Sequence, residues 1–114
     1  MEYSKAYALA EAIKASEEFR TCSELRESVM ADETTAALVR EYKKLSVRLQ
    51  MAAVNGTAAD PEDVQRFSGL NAVLFARQDV TGYLLAEMRL QQALADIFRI
   101  LTDAAGLEMP GPGE

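Results

Sequence analysis

The sequence contains no histidine, and this absence restricts the chemistry that its other reactive side chains can perform. Without an imidazole there is no Ser-His or Cys-His pair for nucleophilic catalysis, and zinc sites built from histidine and cysteine are excluded. The glycines do not cluster into a phosphate-binding loop. The single cysteine, Cys22, is best interpreted as a small buried residue, because no basic cluster that would activate a thiol lies near it in sequence.

Adjacent carboxylates are the remaining residues that could bind a ligand, since pairs of acidic side chains suit magnesium or calcium. Such pairs occur at Glu17-Glu18, Asp32-Glu33 and Glu62-Asp63. Each pair lies at a predicted helix start, where negative charge stabilises the helix dipole. We therefore favour a structural role and predict no metal site and no cofactor. A carboxylate-based metal-binding protein is kept as an alternative.

Glu87 is the one carboxylate that stands within an otherwise apolar stripe. A buried charge is costly unless it is paired, protonated or hydrated. Arg77, Lys43 and Arg48 are conceivable partners. We favour a role in fixing the register of packed helices over a catalytic or ligand-binding role.

Acidic residues exceed basic ones, 18 against 12, which gives a net charge of -6. This balance opposes nonspecific binding to nucleic acid and to anionic membranes. One local basic stripe comprises Arg40, Lys43, Lys44 and Arg48, and Glu41 interrupts it. We interpret the stripe as a solvated helix face, and direct nucleic-acid binding is not expected.

The longest helical pattern spans residues 79–104, with apolar positions at alternating spacings of three and four. Such a heptad seam is typical of helices that pack side by side. A second seam with the same stride lies in the helix predicted from Asp32 to about Val54. Together the two seams supply the predicted interaction surface: Leu38, Tyr42, Leu45, Leu49, Tyr83, Glu87, Leu90, Leu94, Ile97 and Leu101.

Capping signals divide the rest of the chain into further helices. An alanine-rich helix is predicted over residues 3–15, and Ser16 is expected to begin a separate helix that ends near Met30. Asp60-Pro61 begins another helix that runs to about Arg77. The prediction is an all-α bundle of about four helices with the first divided in two. It forms one domain over residues 1–106, followed by a flexible Pro/Gly-rich tail over residues 107–114.

The cellular compartment is predicted by elimination. A single cysteine cannot form an internal disulfide, and the first residues do not resemble a signal peptide. No stretch approaches the roughly 18 to 20 apolar residues that span a bilayer. We expect a cytoplasmic protein that does not insert into membranes.

Four segments resemble the YlbF/YmcA/YheA family of small bacterial helical proteins: residues 9–19, 38–42, 45–50 with the following Asn55-Gly56, and 83–87. The most specific are the Ile13-x-x-Ser16-Glu-Glu-aromatic turn and the run from Tyr83 to Glu87. The resemblance implies an all-helical protein that dimerises through its long helices and has no enzymatic activity of its own.

The same resemblance implies accessory subunits that associate with one another and influence RNA processing by a ribonuclease, and thereby cell-fate decisions. Some relatives bind an iron–sulfur cluster through several cysteines, and Cys22 alone cannot supply such a ligand set. We therefore predict a non-enzymatic, self-associating regulatory protein whose partners are itself and related helical subunits or a ribonuclease. The alternative is a cysteine-poor structural helical module.

Overall fold

A computed structural model describes residues 1–107, and all regular secondary structure in that part of the chain is helical. The helices are α1 Ser4–Lys14, α2 Glu17–Met30, α3 Glu33–Asn55, α4 Pro61–Phe75 and α5 Gln78–Ala105. The all-α class and the long C-terminal helix are thus confirmed, and the first predicted helix is divided at Ala15–Ser16. The predicted tail lies, from residue 108 onward, outside the described residues.

Three polar side chains begin helices where the sequence predicts them. The Ser16 hydroxyl accepts from the Phe19 amide at 3.2 Å, at the start of α2. The Asp32 carboxylate accepts from the Thr35 amide at 3.3 Å, and the Asp60 carboxylate accepts from the Glu62 amide at 2.9 Å. Each bond satisfies an amide that has no partner within its own helix, which fixes the helix start.

The long helix that the sequence predicts from residue 79 begins one residue earlier, at Gln78. Asp79 lies in the first turn, where its carboxylate accepts from the Val80 amide at 2.9 Å and pairs with Arg77. The Arg77 carbonyl accepts the first helical bond, from the Thr81 amide at 3.1 Å. This ion pair joins residues on either side of the helix start.

The described chain separates into two compact units. The central unit comprises residues 23–84, and the terminal unit comprises residues 1–22 together with 85–107. The boundaries fall within α2 and within α5. The prediction of a single domain over residues 1–106 stays a prediction.

Most of the buried apolar side chains belong to the central unit. Its fully buried residues include Val29, Val39, Leu74, Val80 and Tyr83, each no more than 1% exposed. Aromatic contacts join α3 to α4: the Tyr42 ring stacks on Phe67 with centroids 5.0 Å apart and meets Phe75 edge-on at 5.9 Å.

The terminal unit buries far less. Among its described residues only Cys22 and Ala86 are buried, at 7% and 4% exposure. Burial of Cys22 agrees with its predicted packing role. Helix α1 contains no buried residue, and its apolar Leu9 and Ile13 are half-buried.

Candidate interaction surface

The ten residues of the predicted interaction surface lie in three different environments. Leu45 and Tyr83 are buried, Leu94 and Leu101 are exposed, and the half-buried ones are Leu38, Tyr42, Leu49, Glu87, Leu90 and Ile97. The two predicted seams therefore differ in how much of their surface is available to a partner. Their contact with a partner stays a prediction.

The α3 seam packs inside the central unit. Leu45 is 5% exposed, and Tyr42 uses its ring face on Phe67 of α4. Two ion pairs also join α3 to α4. The Arg66 guanidinium donates to both carboxylate oxygens of Glu41, at 2.7 and 2.8 Å, and Arg48 binds Asp63 at 2.9 Å. The bidentate pair lowers the pKa of the Glu41 carboxyl, chiefly because the Arg66 guanidinium donates to its charged form.

Tyr83 joins α5 to α3 at the centre of the same unit. Its hydroxyl accepts from the Lys43 Nζ at 2.8 Å, and the ammonium lies 4.9 Å from the ring centroid. One lysine makes both contacts, and its ammonium satisfies the hydroxyl of a side chain that is 0% exposed. The sequence places Lys43 in a basic stripe and gives no signal that it reaches a buried tyrosine.

A polar cluster ties the start of α3 to the start of α5. The Thr35 hydroxyl donates to Asp32 and accepts from the Arg77 guanidinium, which also binds Asp79 at 2.8 Å. The Thr35 hydrogen bond lowers the pKa of the Asp32 carboxyl, and the Arg77 hydrogen bond lowers that of Asp79. The sequence predicts a helix that begins at Asp32 but gives no signal that the Asp32 carboxylate also accepts from the Thr35 hydroxyl.

The surface of α5 changes along the helix. At its start Val80 and Tyr83 are 0% exposed, whereas Leu94 is 43% and Leu101 53% exposed. Phe98 follows Leu94 by four residues and precedes Leu101 by three, so it shares their helix face, and it is 52% exposed. Met88 and Ile100 are exposed as well. The first part of the helix is a core element of the central unit, and the second part presents apolar side chains to solvent.

Glu87 lies near the middle of α5 and is half-buried. Two of the three cations that the sequence offers as its partners bind other carboxylates: Arg48 binds Asp63 and Arg77 binds Asp79. A role for Glu87 in helix register stays a prediction.

Other kinds of site find little support in the described part of the chain. Residues 1–107 contain no group of three or more histidine, cysteine or carboxylate side chains that could hold a metal ion. Beside Glu17 and Glu18 lies a shallow cavity of about 160 Å³, to which Arg89 contributes one cation.

Within the basic stripe Arg40 and Lys44 are exposed, whereas Lys43 and Arg48 contact Tyr83 and Asp63. Over the same described residues, no helix is long and apolar enough to cross a membrane.

These features define a small all-helical protein with an apolar surface on its longest helix. The family described as control of competence regulator ComK, YlbF/YmcA, matches residues 3–104, and the chain belongs to this family. The resemblance that the sequence segments indicate is thereby confirmed.

Related proteins cover nearly the whole chain. A UPF0342 protein of Caldicellulosiruptor saccharolyticus is 32% identical over 106 residues, which are 93% of this chain and 88% of the relative. The UPF0342 protein YheA of Bacillus subtilis is 25% identical over 87% of this chain and 85% of its own length. A solved structure of a protein of unknown function (DUF964) from Bacillus stearothermophilus has the same fold. It aligns with a TM-score of 0.72 and 21% identity over 91% of both chains.

Proposed function

We propose that this protein is a self-associating helical regulator that acts through protein contacts and has no catalytic activity of its own. The observation that carries the proposal is the exposed face of α5, where Leu94, Phe98 and Leu101 are 43%, 52% and 53% exposed. Spacings of four and three put these side chains next to one another on one helix face. Adjacent exposed apolar residues of this kind mark interaction sites, and small domains often complete their burial by oligomerising.

Sedimentation velocity at micromolar concentration tests self-association. We expect the wild-type chain to sediment as a dimer or larger species. The double variant Leu94→Asp, Phe98→Asp should sediment as a monomer, because two charges would have to be buried at the contact. Val73→Asp is the matched control, since Val73 is 55% exposed on α4 and lies off this face. A monomeric wild-type chain, or an unchanged double variant, would contradict the proposal.

We further propose that the assembled protein is an accessory subunit in bacterial RNA processing, with a ribonuclease or related helical subunits as partners. The link between the family and competence regulation supports a regulatory role. The names of the two curated relatives describe no enzymatic activity, which agrees with a role through contacts.

Purification of a tagged chain from its native host, with and without ribonuclease treatment, tests the proposed partners. Mass spectrometry should detect a ribonuclease or sister subunits that persist after RNA is digested. Recovery of the tagged chain alone would remove the RNA-processing role and leave self-association standing.

A further inference from the structure

The terminal unit buries much less than the central unit does. Among the described residues the central unit contains ten buried side chains and the terminal unit two, Cys22 and Ala86. Both are small, so their burial removes little apolar surface from water. The stability of a helix in a protein comes mainly from burial of its apolar face and less from its intrinsic propensity. Within one chain, the helices of the terminal unit therefore receive little of the main contribution that keeps helices folded.

Helix α1 has little support of its own. Its 11 residues include none that is buried, and isolated helices shorter than about 12–15 residues are marginal in water. Its N-cap residue, Tyr3, makes no side-chain capping bond, and the Ser4 amide donates instead to the exposed Glu2 carboxylate at 3.0 Å. The ion pair between Glu11 and Lys14 is exposed and lies within the helix, and such pairs contribute little to stability. Helix α1 therefore depends on contacts with the rest of its unit.

The second half of α5 extends from a helix start that is already folded. Val80 and Tyr83, each 0% exposed, anchor that start in the central unit. A helix with a folded first turn grows without the cost of nucleation. Further along, Leu94, Phe98 and Leu101 are between 43% and 53% exposed, so growth of the helix gains little burial within one chain. This half of the helix therefore becomes stable when another surface covers it.

We propose that the terminal unit of an isolated chain opens while the central unit stays folded, and that self-association through the exposed face of α5 orders it. The inference rests on the proposed self-association and adds its consequence for folding, because the second copy supplies the burial that α1 and the second half of α5 lack. Proteins open in cooperative units of this kind, and units with few buried apolar contacts open most readily. Ordering the unit on contact opposes association, so the assembly dissociates at a higher concentration than a contact of the same area between two rigid surfaces.

Hydrogen exchange of the full wild-type chain over a dilution series tests the coupling, with sedimentation velocity giving the assembled fraction in the same buffer. The amides of α1 should exchange at least about tenfold faster once the chain has dissociated, because an open unit exposes them to water. The amides around Leu74 should keep their protection at every concentration, since they belong to the core of the central unit. If the chain dissociates while α1 stays protected, the inference fails and self-association stands. A chain that is monomeric at every concentration removes the proposed function as well.

Two double variants separate the effect of association from a local effect of the substitutions. In Leu94→Asp, Phe98→Asp the amides of α1 should again exchange at least about tenfold faster, although no residue of α1 is changed. Met88→Asp, Ile100→Asp is the matched control, because both side chains are exposed, at 63% and 65%, and lie about 120° around α5 from the exposed face. This control should assemble and keep the protection of α1. Equal loss of protection in the two double variants would show that added charge opens the helix without any role for association, and would overturn the inference.

Discussion

Tyr83 is the largest fully buried side chain among the described residues, and its only polar atom accepts from the Lys43 ammonium at 2.8 Å. A buried hydroxyl needs such a partner, because an unsatisfied polar group in the core costs about 1–3 kcal/mol. The lysine lies on α3 and is itself half-buried. Residue type alone gives no indication of this pairing, since the two residues are 40 positions apart.

Tyr83→Phe should lower the free energy of unfolding by about 1 kcal/mol, because the ring still fills the core while the hydrogen bond is lost. Urea denaturation measures this change. Tyr7→Phe is the control, since Tyr7 is 73% exposed and its hydroxyl can bond to water. Equal stability of Tyr83→Phe and wild type would show that the Lys43 contact contributes nothing net.

Asp79 makes stability depend on pH through its ion pair with Arg77, which lowers its pKa from the ordinary 3.8. A lowered folded-state pKa means that the unfolded chain binds the proton more readily. The stabilisation is therefore complete above about pH 3.8 and is lost as the pH falls through the folded-state pKa. Asp79→Asn should be less stable than wild type at neutral pH, and the two should converge in acid. Denaturant titrations at several pH values measure the difference, and a gap that stayed constant down to low pH would contradict the assignment.

At the scale of elements, local signals in the sequence predict where most helices begin and end. Ser16, Asp32 and Asp60 cap helices as expected, and Gly56 ends α3 with φ at +68°. Local chemistry suffices there because a cap bonds to amides within three residues. Asp79 instead lies in the first turn of α5, where it pairs with Arg77.

Two glycines should respond to alanine with opposite sign. Gly56→Ala places a Cβ in the left-handed region and should cost about 1 kcal/mol or more. Gly69→Ala, inside α4 with no side chain of a non-adjacent residue and no other helix within 4 Å of the added Cβ, should stabilise by about 0.5–1 kcal/mol through helix propensity. Thermal unfolding of both variants measures the contrast, and a stabilised Gly56→Ala would contradict the capping geometry.

Periodicity predicts which residues share a helix face, but it does not predict what covers that face. In α4, the apolar residues Val64 and Val73 are 48% and 55% exposed, whereas Leu70 and Leu74 are buried. The α5 seam likewise keeps its spacing in sequence from Val80 to Leu101, with Glu87 as a charged member, although only its beginning is buried within the described chain. Burial depends on contacts between elements distant in sequence, and a repeat of three and four is the same for a core face and for an interface.

At the scale of the whole molecule, a net charge of -6 opposes association, and the exposed α5 face favours it. Charge repulsion between copies is screened by salt, whereas the apolar contact is not. Assembly should therefore persist or strengthen as ionic strength rises. An association that depends on surface ion pairs would instead weaken as ionic strength rises.

Association that stabilises the folded state should make the melting temperature rise with protein concentration. Leu94→Ala should flatten this dependence, because Leu94 is 43% exposed within one chain and contributes mainly to the contact between chains. Leu74→Ala, at 0% exposure, should instead lower stability by about 2–5 kcal/mol at every concentration by leaving a cavity in the core. Differential scanning calorimetry over a wide range of concentrations separates the two effects. If the wild-type melting temperature does not change with concentration, the α5 face does not contribute to stability through association.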